Sequence, residues 1–246
     1  MEENRIQLIK RILNQVLMEL SNQIYNIDLN RLRCLYDRNK QLQVKITNKQ
    51  DKEIEYNFYY EKDGEYCGSI KMKNWHRCFL LEYPPQYRNN KLCSLNPILS
   101  VANYDEEEKL ILAIYHEIAH FLASSEWKTM KTNGQEIIEH KSGICIDKYY
   151  YDKGSIYKIE SNHIESINEA LNDWVSKYLY SVVSGKEQIN DKRYEKINKR
   201  IEHKIKTDQI KPEQILCYYI SNNISRLVEK LNLNDFIIND EKGERN

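Results

Sequence analysis

Residues 110–123 read LILAIYHEIAHFLA, an almost continuously apolar run that encloses His116-Glu117-Ile118-Ala119-His120. On an α-helix, residues i and i+4 lie one turn apart on the same face, so the two imidazoles can reach one ion. Glu117 is turned about 100° from His116 and can address a ligand of that ion. Because the run is apolar on nearly every face, the sequence predicts a helix buried inside a domain. Two histidines and a glutamate are costly there unless something satisfies them, and a metal ion with an activated water would do so.

Two histidines do not complete such a site, because a catalytic zinc ion usually has three protein ligands and one open position for water. The best candidate for the third ligand is Glu169, within the segment 167–175, INEALNDWV. Glutamate is rare at a buried helix position unless it is paired or bound to a metal. Asp173 follows one helical turn later and can accept a hydrogen bond from the outer N–H of a ligand histidine, which would orient that histidine.

The motif H-E-x-x-H followed by N-E-x-x-x-D resembles the gluzincin, thermolysin-like branch of zinc metallopeptidases. The resemblance covers two helices rather than the whole chain, and the interval between the two motifs is longer than in thermolysin. In that family two histidines and the downstream glutamate hold one zinc ion, the first glutamate is the general base, and the aspartate orients a histidine. The resemblance implies that His116, His120 and Glu169 hold the zinc ion and that Glu117 is the general base. It places Asp173 and Asn168 behind these ligands, as residues that support them.

Three other residues are alternatives for the third ligand. Glu126 stands six residues after His120, where the metzincin pattern of zinc peptidases has its third ligand. That pattern needs a histidine at this position and a glycine at position 123, and this chain has Glu126 and Ala123. His140 and His163 rank last, because lone histidines are usually surface or capping residues.

The sequence around the motif predicts an α+β, zincin-like fold in one domain, residues 1–238, with a flexible tail at 239–246. The first lobe, about residues 1–124, is expected to begin with an amphipathic helix and to continue with a small, mostly antiparallel sheet. Asp63-Gly64 predicts a hairpin turn within that sheet. The lobe ends with the H-E-x-x-H helix, for which Asp105 is the expected N-cap. The expected strands span residues 42–47, 54–60, 66–72 and 78–83.

The second lobe, about residues 125–238, is predicted to be mainly helical. It begins with a long connection, residues 124–161, in which two short strands are expected at 142–151 and 155–159. A capping box near Asn162 predicts the helix that carries Glu169, and Gly185 is its expected end. Two more helices are predicted, near 188–206 and from Pro212 to about 231.

The composition of the chain limits the classes of protein to which it can belong. The chain has 246 residues with 37 basic and 37 acidic side chains, and this balance argues against a nucleic-acid-binding surface as the main function. No stretch approaches 18 apolar residues, so no membrane span is expected. The N-terminus begins Met1-Glu2-Glu3 and lacks the pattern of a secretory signal, so we expect a cytoplasmic protein. None of the six cysteines forms a C-x-x-C pair, which favours reduced thiols over a thiolate zinc site.

The resemblance implies zinc-dependent hydrolysis of a peptide or protein substrate. By the same analogy, a substrate would add as a strand to residues 68–73 or 78–83. Two alternatives remain open: a regulatory zincin of the ImmA/IrrE type that cleaves one protein partner, and a non-catalytic zinc-binding module of the same fold. An oxyanion donor would be a Tyr, His or Arg side chain, and the candidates are Tyr149, Tyr150, Tyr151, Tyr157 and His203.

Overall fold

The computed structural model of the protein describes residues 2–48, 50–74, 78–125, 127–152, 155–162, 165–187 and 194–234. Within these ranges the chain has an α+β fold of helices and small sheets, as predicted. The helices are α1 Glu2–Leu20, α2 Leu29–Gln41, α3 Glu107–Ala123, α4 Glu165–Ser184, α5 Glu195–Lys206, α6 Pro212–Ile220 and α7 Ile224–Leu231. None of the described helices combines the length and the apolar character needed to cross a bilayer.

Eleven strands lie in the described residues. Those before α3 are β1 Gln43–Thr47, β2 Glu53–Tyr59, β3 Tyr66–Lys73, β4 Phe79–Leu81, β5 Gln86–Arg88, β6 Lys91–Cys93 and β7 Ile98–Ala102. Those after α3 are β8 Lys128–Thr132, β9 Gln135–Ser142, β10 Cys145–Asp152 and β11 Ser155–Asn162.

The first helix, α1, follows the apolar pattern of the sequence only as far as Leu20. Its buried face ends at Leu20, and Ile24, which continues the spacing in the sequence, lies beyond the helix and is 66% exposed. The second helix, α2, was not predicted because its apolar face is narrow. Its N-cap is Asp28, whose carboxylate accepts hydrogen bonds from the N–H groups of Asn30 and Arg31.

The strands before α3 form three small sheets rather than one. The hairpin of β2 and β3 is antiparallel as predicted, and Gly64 in its turn has a φ of +67°. The central strand of the second sheet is β7, which pairs in parallel with β1 and antiparallel with β4. The prediction missed β7, because its five residues are all buried and therefore lack the alternation of a half-buried strand. The third sheet is the short hairpin of β5 and β6.

The long connection after α3 is a four-stranded antiparallel sheet in the order β11-β10-β9-β8. The two predicted strands correspond to β10 and β11, while β8 and β9 were missed. All five residues of β8 are exposed, so no apolar alternation marks this strand. Asn133-Gly134, with φ values of 51° and 79°, forms the turn between β8 and β9 and is the local signal that predicts such a hairpin.

The helices after this sheet confirm the predicted order with one correction, and a second correction concerns the start of α3. The helix α4 ends before Gly185, whose φ is +68° and whose N–H donates to the Ser181 carbonyl. The segment from Pro212 is two helices rather than one, because the chain turns at 221–223, where Asn222 has a φ of 54°. Asp105 is not the N-cap of α3; Glu106 occupies that position, without a side-chain capping bond.

One large buried cluster joins the helices, from Ile9 in α1 to Leu233 after α7, and α3 contributes to it along most of its length. The C-terminal end of α3 is held by two arginines of α2. Arg31 Nη2 donates to the carbonyls of Leu122 and Ser124, each at 2.8 Å. Arg38 Nη1 donates to the Ser124 carbonyl at 2.9 Å. The two guanidinium groups thus satisfy carbonyls at the helix end that have no partner within the helix.

Arg38 also forms a buried ion pair with Glu82, which follows β4. His140 Nε2 of β9 lies 3.0 Å from the other carboxylate oxygen, a distance that suits an ion pair although the atoms are not aligned as a hydrogen bond. Burial alone would raise the pKa of Glu82, but the charges of Arg38 and His140 outweigh burial and lower the pKa to about 2. This cluster connects α2, β9 and the segment after β4.

Replacing Glu82 by Gln should destabilise the protein near neutral pH by about 3 kcal/mol, because the buried Arg38 guanidinium loses its counter-charge. The pKa of Glu82 in the folded protein lies below its ordinary value of 4.5, so the stabilisation is present above that value and is lost as the pH falls towards about 2. Urea unfolding at about pH 7 and about pH 3 measures the free energy of unfolding of wild type and of Glu82→Gln. The difference between the two free energies should be smaller at the lower pH.

The matched control is Glu65→Gln. Glu65 pairs with Arg88 at the surface and is 60% exposed, so this substitution should change stability little at either pH. If the free energies of unfolding of wild type and Glu82→Gln differed by the same amount at both pH values, Glu82 would not be the stabilising anion described above.

Candidate metal centre

The three predicted ligands meet where α3 packs against α4. His116 and His120 project from successive turns of α3 towards Glu169 on α4. His116 Nε2 lies 3.3 Å from Glu169 Oε2, and His120 Nε2 lies 3.4 Å from Glu169 Oε1. One ligand atom from each residue lies within 4.8 Å of the others. Across the described ranges, this is the one group of three such side chains close enough to share an ion.

The spacing of these atoms suits a metal ion. Zinc binds imidazole nitrogen and carboxylate oxygen at about 2.0–2.2 Å in tetrahedral geometry, which places neighbouring ligand atoms about 3.3–3.5 Å apart. Each histidine Nε2 lies at about this distance from one carboxylate oxygen of Glu169, His116 from Oε2 and His120 from Oε1. The side chains of His116, His120 and Glu169 are 20%, 18% and 34% exposed, so one side of the group faces solvent. A water or substrate can therefore reach the position that the three side chains leave free.

The electrostatics of the group are strongly coupled. Burial alone would lower the pKa of His120, but the carboxylates of Glu169 and Glu117 outweigh burial and raise that pKa. Burial would likewise raise the pKa of Glu169, but hydrogen bonding with His116 and His120 outweighs it and lowers that pKa. Glu169 is therefore an anion across the neutral pH range, which is the form that binds a cation.

Glu117 is buried beside this group and is not one of its three members. Its side chain accepts a hydrogen bond from the N–H of Leu80 in β4, while Oε2 has no hydrogen-bond partner. Burial raises the pKa of Glu117 against the opposing charges of His120 and His116. A carboxylate that is only 3% exposed and keeps one free oxygen is costly, unless a further polar group occupies the adjacent space.

Comparison with protein-family models, with curated proteins and with solved structures gave no significant match. The four motif residues His116, Glu117, His120 and Glu169 nevertheless come together in space from two helices that are far apart in the sequence. This convergence is a property of the fold, because the sequence motif fixes only the relative positions of the two histidines and Glu117.

The two residues expected behind the ligands have other partners. Asp173 is 1% exposed and accepts hydrogen bonds from Lys177 Nζ at 2.6 Å and from Asn198 Nδ2 of α5 at 3.3 Å. The predicted bond from Asp173 to a ligand histidine is not made with His116, whose Nδ1 has no hydrogen-bond partner. The spacing within α4 allowed such a bond, but the ammonium group one turn away competes for the carboxylate.

Asn168, the other expected member of the outer layer, holds the turn between β9 and β10. Its Oδ1 accepts a hydrogen bond from the N–H of Ile144 at 3.1 Å. Gly143 in that turn has a φ of +64°, and a Cβ atom there would lie 1.9 Å from the same oxygen. Asn168 therefore anchors the four-stranded sheet to the helix that carries Glu169.

Those of the remaining candidates that the structure describes do not join the group. Glu126 and His163 lie outside the described residues. His140 pairs with Glu82 instead, and its ring stacks on Trp127 with centroids 4.4 Å apart. Among the suggested oxyanion donors, the rings of Tyr149 and Tyr151 pack against Trp127 and Tyr87. Tyr150 and Tyr157 stack on each other, and His203 is exposed on α5.

Asn172 and Tyr219 were not predicted from the sequence, and both are fully buried behind the group. Asn172 Nδ2 donates to the His116 carbonyl at 3.0 Å, and the Tyr219 hydroxyl donates to Asn172 Oδ1 at 2.6 Å. The available signal was an asparagine three residues after Glu169 and next to Asp173, since buried amides are normally hydrogen-bonded.

Removing a ligand should release the metal. We expect purified wild type to retain about one zinc ion per chain after dialysis against a weak chelator. His120→Ala and Glu169→Ala should bind zinc at least about 100-fold more weakly, because changes behind the ligands already cost about 10- to 100-fold. Metal content by plasma mass spectrometry measures this loss.

His203→Ala is the control, since it removes an exposed histidine on α5 and should leave the zinc content unchanged. Equal zinc in wild type and in both ligand variants would place the metal elsewhere in the chain.

Proposed function

We propose that the protein is a zinc-dependent metallopeptidase of the gluzincin type with a zincin-like fold. The observation that carries this proposal is the convergence of His116, His120 and Glu169 beside a buried Glu117 with a free oxygen. Two imidazoles and one carboxylate form a donor set that zinc commonly takes in hydrolytic sites, with a further position left for water. The partial exposure of the three side chains supplies that open position.

The zinc ion and the side chains of the protein would contribute different parts of the reaction. Zinc, when bound, supplies a Lewis acid that polarises a carbonyl group and lowers the pKa of a water ligand. Glu117 takes the proton from the attacking water and later delivers it to the leaving amine. Its free Oε2 is the acceptor, while the Leu80 N–H holds the carboxylate in place. Burial raises the pKa of Glu117 and so favours its protonated form, which must persist between the two proton transfers.

Strand β4 is the better of the two suggested peptide-binding strands. It pairs with β7 along one edge only, and the N–H of its middle residue, Leu80, is directed to Glu117. The other edge therefore faces the catalytic carboxylate. An extended peptide can add there as a further antiparallel strand through groups other than the Leu80 N–H, which already donates to Glu117. Strand β3 pairs with β2 in a separate sheet, and no comparable contact connects it to Glu117 in the described residues.

A purely structural zinc site fits the geometry less well. Structural zinc ions are normally enclosed by four protein ligands, whereas the described residues bring three together. A structural site also has no use for a buried carboxylate such as Glu117. A regulatory zincin that cleaves a single protein partner would use the same site. It would differ from a general peptidase in the range of peptides that it hydrolyses.

Glu117→Gln should abolish peptide hydrolysis and retain zinc. The amide occupies the same volume but cannot accept a proton from water, so the rate should fall by about 10²- to 10⁴-fold, the usual contribution of a general base. Hydrolysis of a mixed peptide library, followed by mass spectrometry alongside zinc analysis of the same sample, measures both properties.

Glu107→Gln, an exposed position in the first turn of the same helix, is the matched control and should remain fully active. A Glu117→Gln variant with wild-type activity would exclude the proposed mechanism.

A further inference from the structure

The side chain of Asn172 connects three helices at the candidate metal centre. Asn172 lies on α4, three residues after Glu169. Its Nδ2 donates to the carbonyl oxygen of His116 on α3 at 3.0 Å, and its Oδ1 accepts from the hydroxyl of Tyr219 on α6 at 2.6 Å. Asn172 and Tyr219 are both 0% exposed. The amide thus bonds directly to the backbone of a residue whose side chain belongs to the His116, His120 and Glu169 group.

The relative position of α3 and α4 determines whether the group can hold an ion. The two histidines belong to one helix and Glu169 to the other, so a shift along the axes changes both imidazole-to-carboxylate distances together. One residue of shift displaces a helix by about 1.5 Å, whereas metal–ligand distances are normally within about 0.2 Å of ideal values. The register must therefore be held more closely than one residue.

Apolar packing between the helices does not by itself supply this accuracy. Hydrophobic contacts are non-directional, whereas a hydrogen bond to one carbonyl oxygen selects one axial position. The Tyr219 hydroxyl fixes the orientation of the amide, because it binds Oδ1 and leaves Nδ2 to donate to His116. A buried network in which each side-chain polar atom has a partner favours one arrangement of the core over its neighbours.

We propose that Asn172 and Tyr219 are positioning residues that set the register of α3 against α4 and thereby the affinity of the site for its metal. This inference rests on the proposed metal site. It assigns a function to a pair that touches neither the ion nor a substrate. It also assigns the alignment of the ligands to α6, a helix outside both sequence motifs.

Two variants test the proposal in the full-length protein. Tyr219→Phe removes one oxygen and leaves the orientation of the Asn172 amide unfixed. Asn172→Leu keeps the branched shape and the number of side-chain heavy atoms, and it removes the bonds to both His116 and Tyr219. Zinc affinity is measured by competition with a chromophoric chelator, and unfolding of the metal-free protein in urea is measured separately. We expect zinc to bind about tenfold more weakly to Tyr219→Phe and about 10- to 100-fold more weakly to Asn172→Leu.

Tyr56→Phe is the matched control. The Tyr56 hydroxyl is also buried and hydrogen-bonded to a side-chain oxygen, Ser100 Oγ, at 3.0 Å, but it belongs to the smaller apolar cluster around β2 and β3. The control should lower the stability of the metal-free protein and leave zinc affinity unchanged, which separates general destabilisation from an effect on the ligands.

The outcomes distinguish this inference from the proposed function. Zinc bound tightly by wild type and equally tightly by both variants would overturn the positioning function of Asn172 and Tyr219 and leave the metal site intact. No zinc bound by wild type would overturn the metal site, and the inference with it. Weaker zinc binding in Tyr219→Phe and Asn172→Leu, with unchanged binding in Tyr56→Phe, is the result that the proposal requires.

Discussion

The packing of α3 against α4 is the interaction on which the rest of the structure depends. Both helices are largely buried. Their contact places the Nε2 atoms of two imidazoles 3.3–3.4 Å from the carboxylate oxygens of Glu169. Glu117 adds a second carboxylate with a raised pKa beside them. Such a concentration of titratable groups opposes folding unless they satisfy one another or share a bound cation. The proposed zinc ion provides the shared charge and explains why these side chains are tolerated there.

Polar contacts around this helix pair hold it from several directions. Arg31 and Arg38 of α2 bind the carbonyls at the end of α3, and Arg38 continues to Glu82 and His140. Three buried polar side chains of α4 reach other elements: Asn168 holds the β9–β10 turn, Asn172 holds α3 and α6, and Asp173 holds α5. The residues that surround Glu169 in the sequence therefore position α4. The position of the Glu169 side chain depends on them indirectly.

The almost continuous apolar run predicted α3 as a buried helix, and the capping box near Asn162 predicted the helix that carries Glu169. Periodicity failed where burial did not alternate: β7 is buried throughout and β8 is exposed throughout. The fixed spacing of H-E-x-x-H placed His116, Glu117 and His120, and the rarity of buried glutamate pointed to Glu169. The contacts of Asp173 and Asn172 were not predictable in the same way, because they depend on α5 and α6, which come near α4 only in the folded chain.

The most direct test of a zinc ion held by α3 and α4 is anomalous diffraction at the zinc absorption edge from crystals of the wild-type protein grown with zinc. The arrangement described above requires one strong peak, about 2.0–2.2 Å from His116 Nε2, from His120 Nε2 and from a carboxylate oxygen of Glu169. No peak between these side chains, or a peak held by another set such as His140 with Glu82, would contradict the proposed site.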